Sequence, residues 1–112
     1  FRVHDQIQAA VDKVRALQER YRQVSIQDKG KTFNTELLET LELGYLLELA
    51  EVTAVSALAR QESRGAHSRE DFPERDDEDW LAHTLARRTE TGVELDYKPV
   101  VITRFEPKPR TY

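Results

Sequence analysis

Residues 33–61, FNTELLETLELGYLLELAEVTAVSALARQ, decide the fold. Asn34 is a good helix N-cap, Glu36 suits the positive first turn, and Phe33 is placed to staple onto Leu38. Leu38, Leu41, Tyr45, Leu49, Val52, Val55 and Ala59 form one stripe at helical spacing, and Leu37, Leu47, Ala54 and Leu58 form another. Leu43, Leu46, Ala50 and Ala57 lie between them, so from Leu43 to Ala59 the helix is apolar nearly all round. A helix of that kind is normally surrounded by other protein. Arg60 and Arg64 suit the negative end of its dipole and Gly65 offers a left-handed cap, which predicts a helix over about 34–64.

Upstream, Val3, Ile7, Val11, Val14, Leu17, Tyr21 and Val24 recur at steps of three and four, with charged residues on the other faces. This predicts an amphipathic helix over about 3–24 with no visible N-cap, followed by a loop around Gly30 and an antiparallel return. The first helix can cover only one stripe of the second. The remaining faces call for the C-terminal segment, a second copy or a domain outside this chain, and Gly44, Ala50, Ala54 and Ala57 would let a neighbour approach closely.

Downstream, Pro73 pushes Phe72 toward extended structure. Trp80 to Arg87 and Val93 to Tyr97 are short alternating runs around TETG, whose Gly92 can take positive φ, which predicts a β-hairpin at about 80–97. Lys98 to Thr103 continues as extended chain, and the prolines of the tail keep 98–112 extended. The expected fold class is therefore mainly α. It is one domain over 1–112, an antiparallel bundle of two long helices with room for a third short one, a small C-terminal β-hairpin and an extended tail.

At 112 residues the chain suits one domain with a modest core. The net charge is -4 and the charges alternate rather than form a basic stripe, which argues against nucleic acid as a partner. The absence of cysteine removes disulfides, thiolate ligands and a cysteine nucleophile. No apolar run approaches the roughly 18 residues that span a bilayer, so direct membrane insertion is not expected. The sequence begins FRVHDQ and contains no methionine, and it reads as a piece of something longer.

Chemistry concentrates in residues 62–77, ESRGAHSREDFPERDD. Metal binding would draw on His4, His67, His83, Asp71, Asp76, Asp77 and Asp79, but neither a HExxH motif nor a calcium-loop pattern is present. Acid/base catalysis by His67 or Asp71 would need a pocket that excludes water. Interleaved arginines and carboxylates more often form a structural network. Gly30, Gly44, Gly65 and Gly92 are isolated and build no phosphate loop. Because Arg64, His67, Arg69 and Asp71 follow a helix that needs a neighbour, they are expected to line an interdomain interface. No catalytic, cofactor-binding or metal-binding residue is assigned.

The stretch FNTELLETLELGYLLELAEVTAVSALARQESRGAHSREDFPERDDEDWLAHTL, with LDYKPV and the terminal PKPRTY, resembles the C-terminal region of the flavoprotein subunit of succinate dehydrogenase and fumarate reductase. ESRG followed by a histidine also resembles L-aspartate oxidase, whereas DFPERDD and RTY tilt toward succinate dehydrogenase. The resemblance implies a parent that oxidises succinate to fumarate, or the reverse, on a covalently bound FAD and passes electrons to an iron-sulfur subunit and quinone. The family's flavin and dicarboxylate motifs match nothing in this segment. It implies for this chain a non-catalytic region packed on the flavin domain, inactive alone. The parent is expected to be bacterial, peripheral on the cytoplasmic face of the inner membrane. A free-standing helical interaction module is the reading from another class, and the bare helix face is expected to favour self-association of the isolated piece.

Overall fold

The computed structural model describes residues 2–24, 29–31 and 34–108. Two helices, α1 (His4–Tyr21) and α2 (Thr35–Ala59), precede one antiparallel hairpin of β1 (Ala82–Thr89) and β2 (Gly92–Pro99). Among the described residues there is no third helix.

α2 begins as its sequence predicts. The Asn34 side chain accepts from the Leu37 N–H at 2.9 Å and donates to the Gly30 carbonyl at 2.8 Å, satisfying an N–H that the helix cannot bond internally. The staple expected from Phe33 lies outside the described residues. α2 stops at Ala59 rather than near residue 64, because Arg60 turns to extended backbone. Its guanidinium does not stay at the helix end but donates to the carbonyls of Trp80 (2.8 Å) and Ala82 (2.6 Å) and to Thr84 Oγ1 (3.0 Å). Gly65 does have positive φ, at 60°, but it serves a turn beyond the helix and does not cap it.

The helices run antiparallel, with Ile7 and Val11 of α1 and Leu47 of α2 as the buried apolar residues. Beside them Glu51, only 4% exposed, accepts from Arg15 (3.2 Å) and Gln18 (3.4 Å) of α1 and from Arg88 (3.2 Å) of β1, so one carboxylate ties three elements together. The hairpin register pairs Thr89 with Gly92, making the connection two residues, Glu90 and Thr91, rather than the four of TETG. Gly92 has φ 139°, a region open to glycine and costly to other residues. Trp80 meets Tyr97 edge to face at 5.4 Å across the start of the hairpin.

This arrangement covers α2 unevenly. Val52 and Ala54 to Ala59 are partly buried, whereas Leu38, Tyr45, Leu46 and Leu49 are each more than half exposed. No helix of the described residues is long and apolar enough to cross a membrane.

At the far end of the helix pair, Tyr21 Oη donates to the Thr40 carbonyl at 2.8 Å, and a Cβ on Gly44 would lie 2.7 Å from that oxygen and 2.9 Å from Cζ. Helix propensity favours Gly44→Ala by about 1 kcal/mol, while overpacking costs about 1–3 kcal/mol. Urea denaturation is expected to show a net loss for Gly44→Ala in the native chain and a gain of about 1 kcal/mol on a Tyr21→Ala background. A gain on both backgrounds would contradict the close approach.

Candidate functional site

The last carbonyls of α2 form a negative pole that needs donors from elsewhere. Arg69 supplies them: its Nη1 donates to the carbonyl oxygens of Ala57 (3.2 Å), Leu58 (3.0 Å) and Arg60 (3.1 Å). The other edge of the same guanidinium forks onto Asp71, Nε to Oδ1 at 2.8 Å and Nη2 to Oδ2 at 2.7 Å. Asp71 Oδ2 then accepts from the His4 N–H at 2.9 Å, the first residue of α1, where Val3 provides no side-chain cap. One ion pair thus closes the negative end of one helix and the positive end of its neighbour.

Arg69 is 1% exposed and lies over the Phe72 ring at 5.0 Å. Its loop is fixed by Ser63, whose Oγ accepts from the Arg69 N–H at 2.8 Å and donates to the Phe72 carbonyl at 2.8 Å. The Arg69 guanidinium, helped by the His4 N–H against a desolvation penalty, holds the Asp71 carboxyl well below the usual carboxylate range. Such a depressed group contributes stability that is fully present above its ordinary pKa and lost only as pH falls through the lower folded value.

A second cluster centres on Glu62, which is fully buried. Burial by itself raises its pKa, but donors from Arg64 Nε (2.9 Å) and Nη2 (3.0 Å), the Asp76 N–H (2.9 Å) and Arg60 Nη1 outweigh that and bring the carboxyl below its ordinary value. Arg64 also reaches Asp77 at 2.6 Å. Between the clusters, Arg64 and His67 exchange backbone hydrogen bonds of 2.7 and 3.0 Å around a two-residue turn that opens on Gly65. His67 Nδ1 faces Arg2 Nη1 at 2.9 Å and Nε2 faces the Arg60 carbonyl at 3.2 Å.

Of the four residues singled out in the sequence, Arg69 and Asp71 meet directly. His67 joins them through the Arg60 carbonyl, and Arg64 belongs to the Glu62 cluster. Arg69 is enclosed by its own chain, so it shapes the loop from within. The sequence reasoning missed Glu62, Ser63 and Arg2. The alternation Arg60, Glu62, Arg64 was a readable signal for the first, whereas nothing local to Arg2 announces a partner 65 positions away.

Chemically the arrangement is saturated. No buried side-chain nitrogen or oxygen of the described residues lacks a partner, and they contain no group of His, Asp or Glu placed to hold a metal ion. Carboxylates pushed down stay ionised near neutral pH and are poor general acids. Among the described residues no strand leads through a glycine-rich turn into a helix, the arrangement that cradles a dinucleotide pyrophosphate.

A family model described as fumarate reductase flavoprotein C-term matches residues 1–112. The fumarate reductase flavoprotein subunit of Haemophilus influenzae is 47% identical over 113 residues, all of this chain and 19% of that protein. The succinate dehydrogenase flavoprotein subunit of Rickettsia conorii is likewise 47% identical, over 104 residues, covering 92% of this chain and 17% of that protein. Among solved structures, a variant of Escherichia coli quinol fumarate reductase FrdA superimposes with TM-score 0.91 and 48% identity over 96% of this chain and 19% of its own. The chain therefore spans about a fifth of the length of the curated relatives it matches, and proteins of both names share the region.

Leaving a buried acceptor without its donor costs about 1–3 kcal/mol. Arg69→Met, which strips the donor from the Ala57, Leu58 and Arg60 carbonyls, is expected to lose at least that much in urea denaturation, and Arg69→Lys to recover less than half of it, since an ammonium cannot fork onto Asp71 while reaching three carbonyls. Full recovery by lysine would mean that charge alone matters.

Proposed function

As the chain belongs to the fumarate reductase flavoprotein C-terminal family, we propose that it is the non-catalytic C-terminal domain of a succinate dehydrogenase flavoprotein subunit, packed against the flavin domain of its parent. The family is one of oxidoreductase flavoprotein subunits. In this reading the parent oxidises succinate to fumarate on FAD bound elsewhere in the chain, and electrons leave through an iron-sulfur subunit toward quinone. The parent is a peripheral subunit on the cytoplasmic face of a bacterial inner membrane. A fumarate reductase parent differs only in the direction of the reaction.

The observation that carries the proposal is the bare face of α2. Leu38 (57%), Tyr45 (61%), Leu46 (63%) and Leu49 (64%) stand exposed on one face of one helix, around Glu42, and large apolar side chains gathered in that way suit an interaction site. The two helices make half of a bundle, and the parent chain completes it. Arg64, His67 and Asp71, at the rim of the arginine loop, continue the same interface, with Arg69 bonding Asp71 from inside and Glu62 bonding Arg64. The saturated loop supports a structural role over a catalytic one.

The isolated chain is expected to show no flavin absorbance and no succinate-dependent dye reduction, and either signal would place chemistry in it. Tyr45→Glu together with Leu49→Glu is expected to leave the isolated chain as helical as before and to reduce its self-association in sedimentation. In the full flavoprotein the same pair should lower the melting temperature by several degrees. Equal tolerance in both settings would mean that nothing covers this face.

A further inference from the structure

We propose that His67 is a pH-sensitive latch on the start of α1, closed while its imidazole is neutral and released when the ring takes a proton. The geometry fixes the tautomer. A guanidinium has only donors, so Arg2 Nη1, 2.9 Å from His67 Nδ1, can only donate to it, and Nδ1 must carry a lone pair. The ring proton then sits on Nε2, where it donates to the Arg60 carbonyl at 3.2 Å. A second proton has only Nδ1 to go to. There it replaces the acceptor with a donor pointing at another donor, and it sets an imidazolium against a guanidinium.

Three guanidinium groups oppose that charge, while Glu74, Asp76, Asp77 and Glu78, which share a hollow with His67, make no hydrogen bond to its ring. Arg2 faces the ring from the segment before α1, Arg60 from the end of α2 and Arg69 from the loop, while Arg64 holds it by the backbone turn. His83 of β1 lines the same hollow of about 420 Å³. Among the described residues no carboxylate bonds the imidazole: Glu62 is taken by Arg60 and Arg64, and Asp71 by Arg69 and the His4 N–H. Burial first, then the charges of Arg2, Arg69 and Arg60, hold His67 below its ordinary value of 6.5 despite the favourable carbonyl of Arg60.

A histidine whose folded pKa is lowered contributes stability that is complete above 6.5 and drains as pH falls from there toward the folded value. What drains is local. The segment before α1 is held to the loop by Arg2 on His67, by the Glu70 N–H on the Arg2 carbonyl at 2.8 Å and by the His4 N–H on Asp71. Asp71 stays ionised throughout this range, so His67 is the member of the set that responds. The inference stands on these contacts and is independent of the parent's catalytic identity.

Hydrogen exchange read by mass spectrometry on the full-length flavoprotein tests it, with peptides over residues 3–11 followed at pH 7.5 and 5.0 and normalised to intrinsic exchange. The native protein is expected to lose protection there on acidification, since a histidine held below its ordinary value loses its contribution as pH falls. His67→Asn keeps an acceptor for Arg2 but cannot take a proton, and is expected to hold its protection. Arg2→Leu, which removes the latch without touching the ring, should show low protection at both pH values. Native protection that survives pH 5.0 overturns the proposal, as does an equal acid loss in His67→Asn. A native-like acid step in Arg2→Leu also overturns it.

Discussion

The Arg69–Asp71 pair is the interaction on which the rest of the structure depends. Antiparallel helices bring unlike poles side by side at each end of the pair: here the carbonyl end of α2 lies beside the amide end of α1. Arg69 bonds the first with one edge of its guanidinium and Asp71 bonds the second with a carboxylate oxygen, while the pair bonds itself through the remaining edge. The two helices share only a small buried apolar set, Ile7, Val11 and Leu47. Polar contacts therefore do much of the work of register: Arg69–Asp71 at one end, Glu51 near the middle and Tyr21 on Thr40 at the other.

A small core and a saturated polar loop have the same explanation. An isolated domain of this size would be expected to bury more of α2. Its apolar face instead stays open along the first half of the helix, while the second half is closed by the loop and hairpin. About four-fifths of the length of the curated relatives lies outside the region they share with this chain. Ionisable groups gathered in one loop usually raise the question of catalysis. Here Glu62 and Asp71 are held below their ordinary values by arginine donors and every buried side-chain nitrogen or oxygen of the described residues is bonded, which supports the proposed structural role.

Much of this was legible in the residues. Both helices follow from their apolar spacing, α2 from Asn34 onward, and the hairpin from alternation around Gly92. Three features escaped local reasoning, each for a physical reason. α1 lacks a visible cap because the acceptor is Asp71, 67 positions downstream, and a cap supplied in space leaves no mark beside the helix. α2 ends early because Arg60 is drawn off to the hairpin, so the basic residue that completes the helix pole is Arg69, ten positions past Ala59. Gly65 was correctly expected at positive φ but for another element, since a left-handed glycine marks a turn without saying which one. Glu62 was passed over although the alternation of charge from Arg60 to Arg64 was readable, because spacing alone does not say that the carboxylate is buried.

The central claim is that Arg69 and Asp71 act as one unit joining two helix ends. A double-mutant cycle by equilibrium unfolding, with Arg69→Met, Asp71→Asn and the combination, measures it most directly. The account predicts strong coupling, with the double variant scarcely less stable than Arg69→Met alone. Strictly additive losses would contradict it and return both residues to separate, local roles.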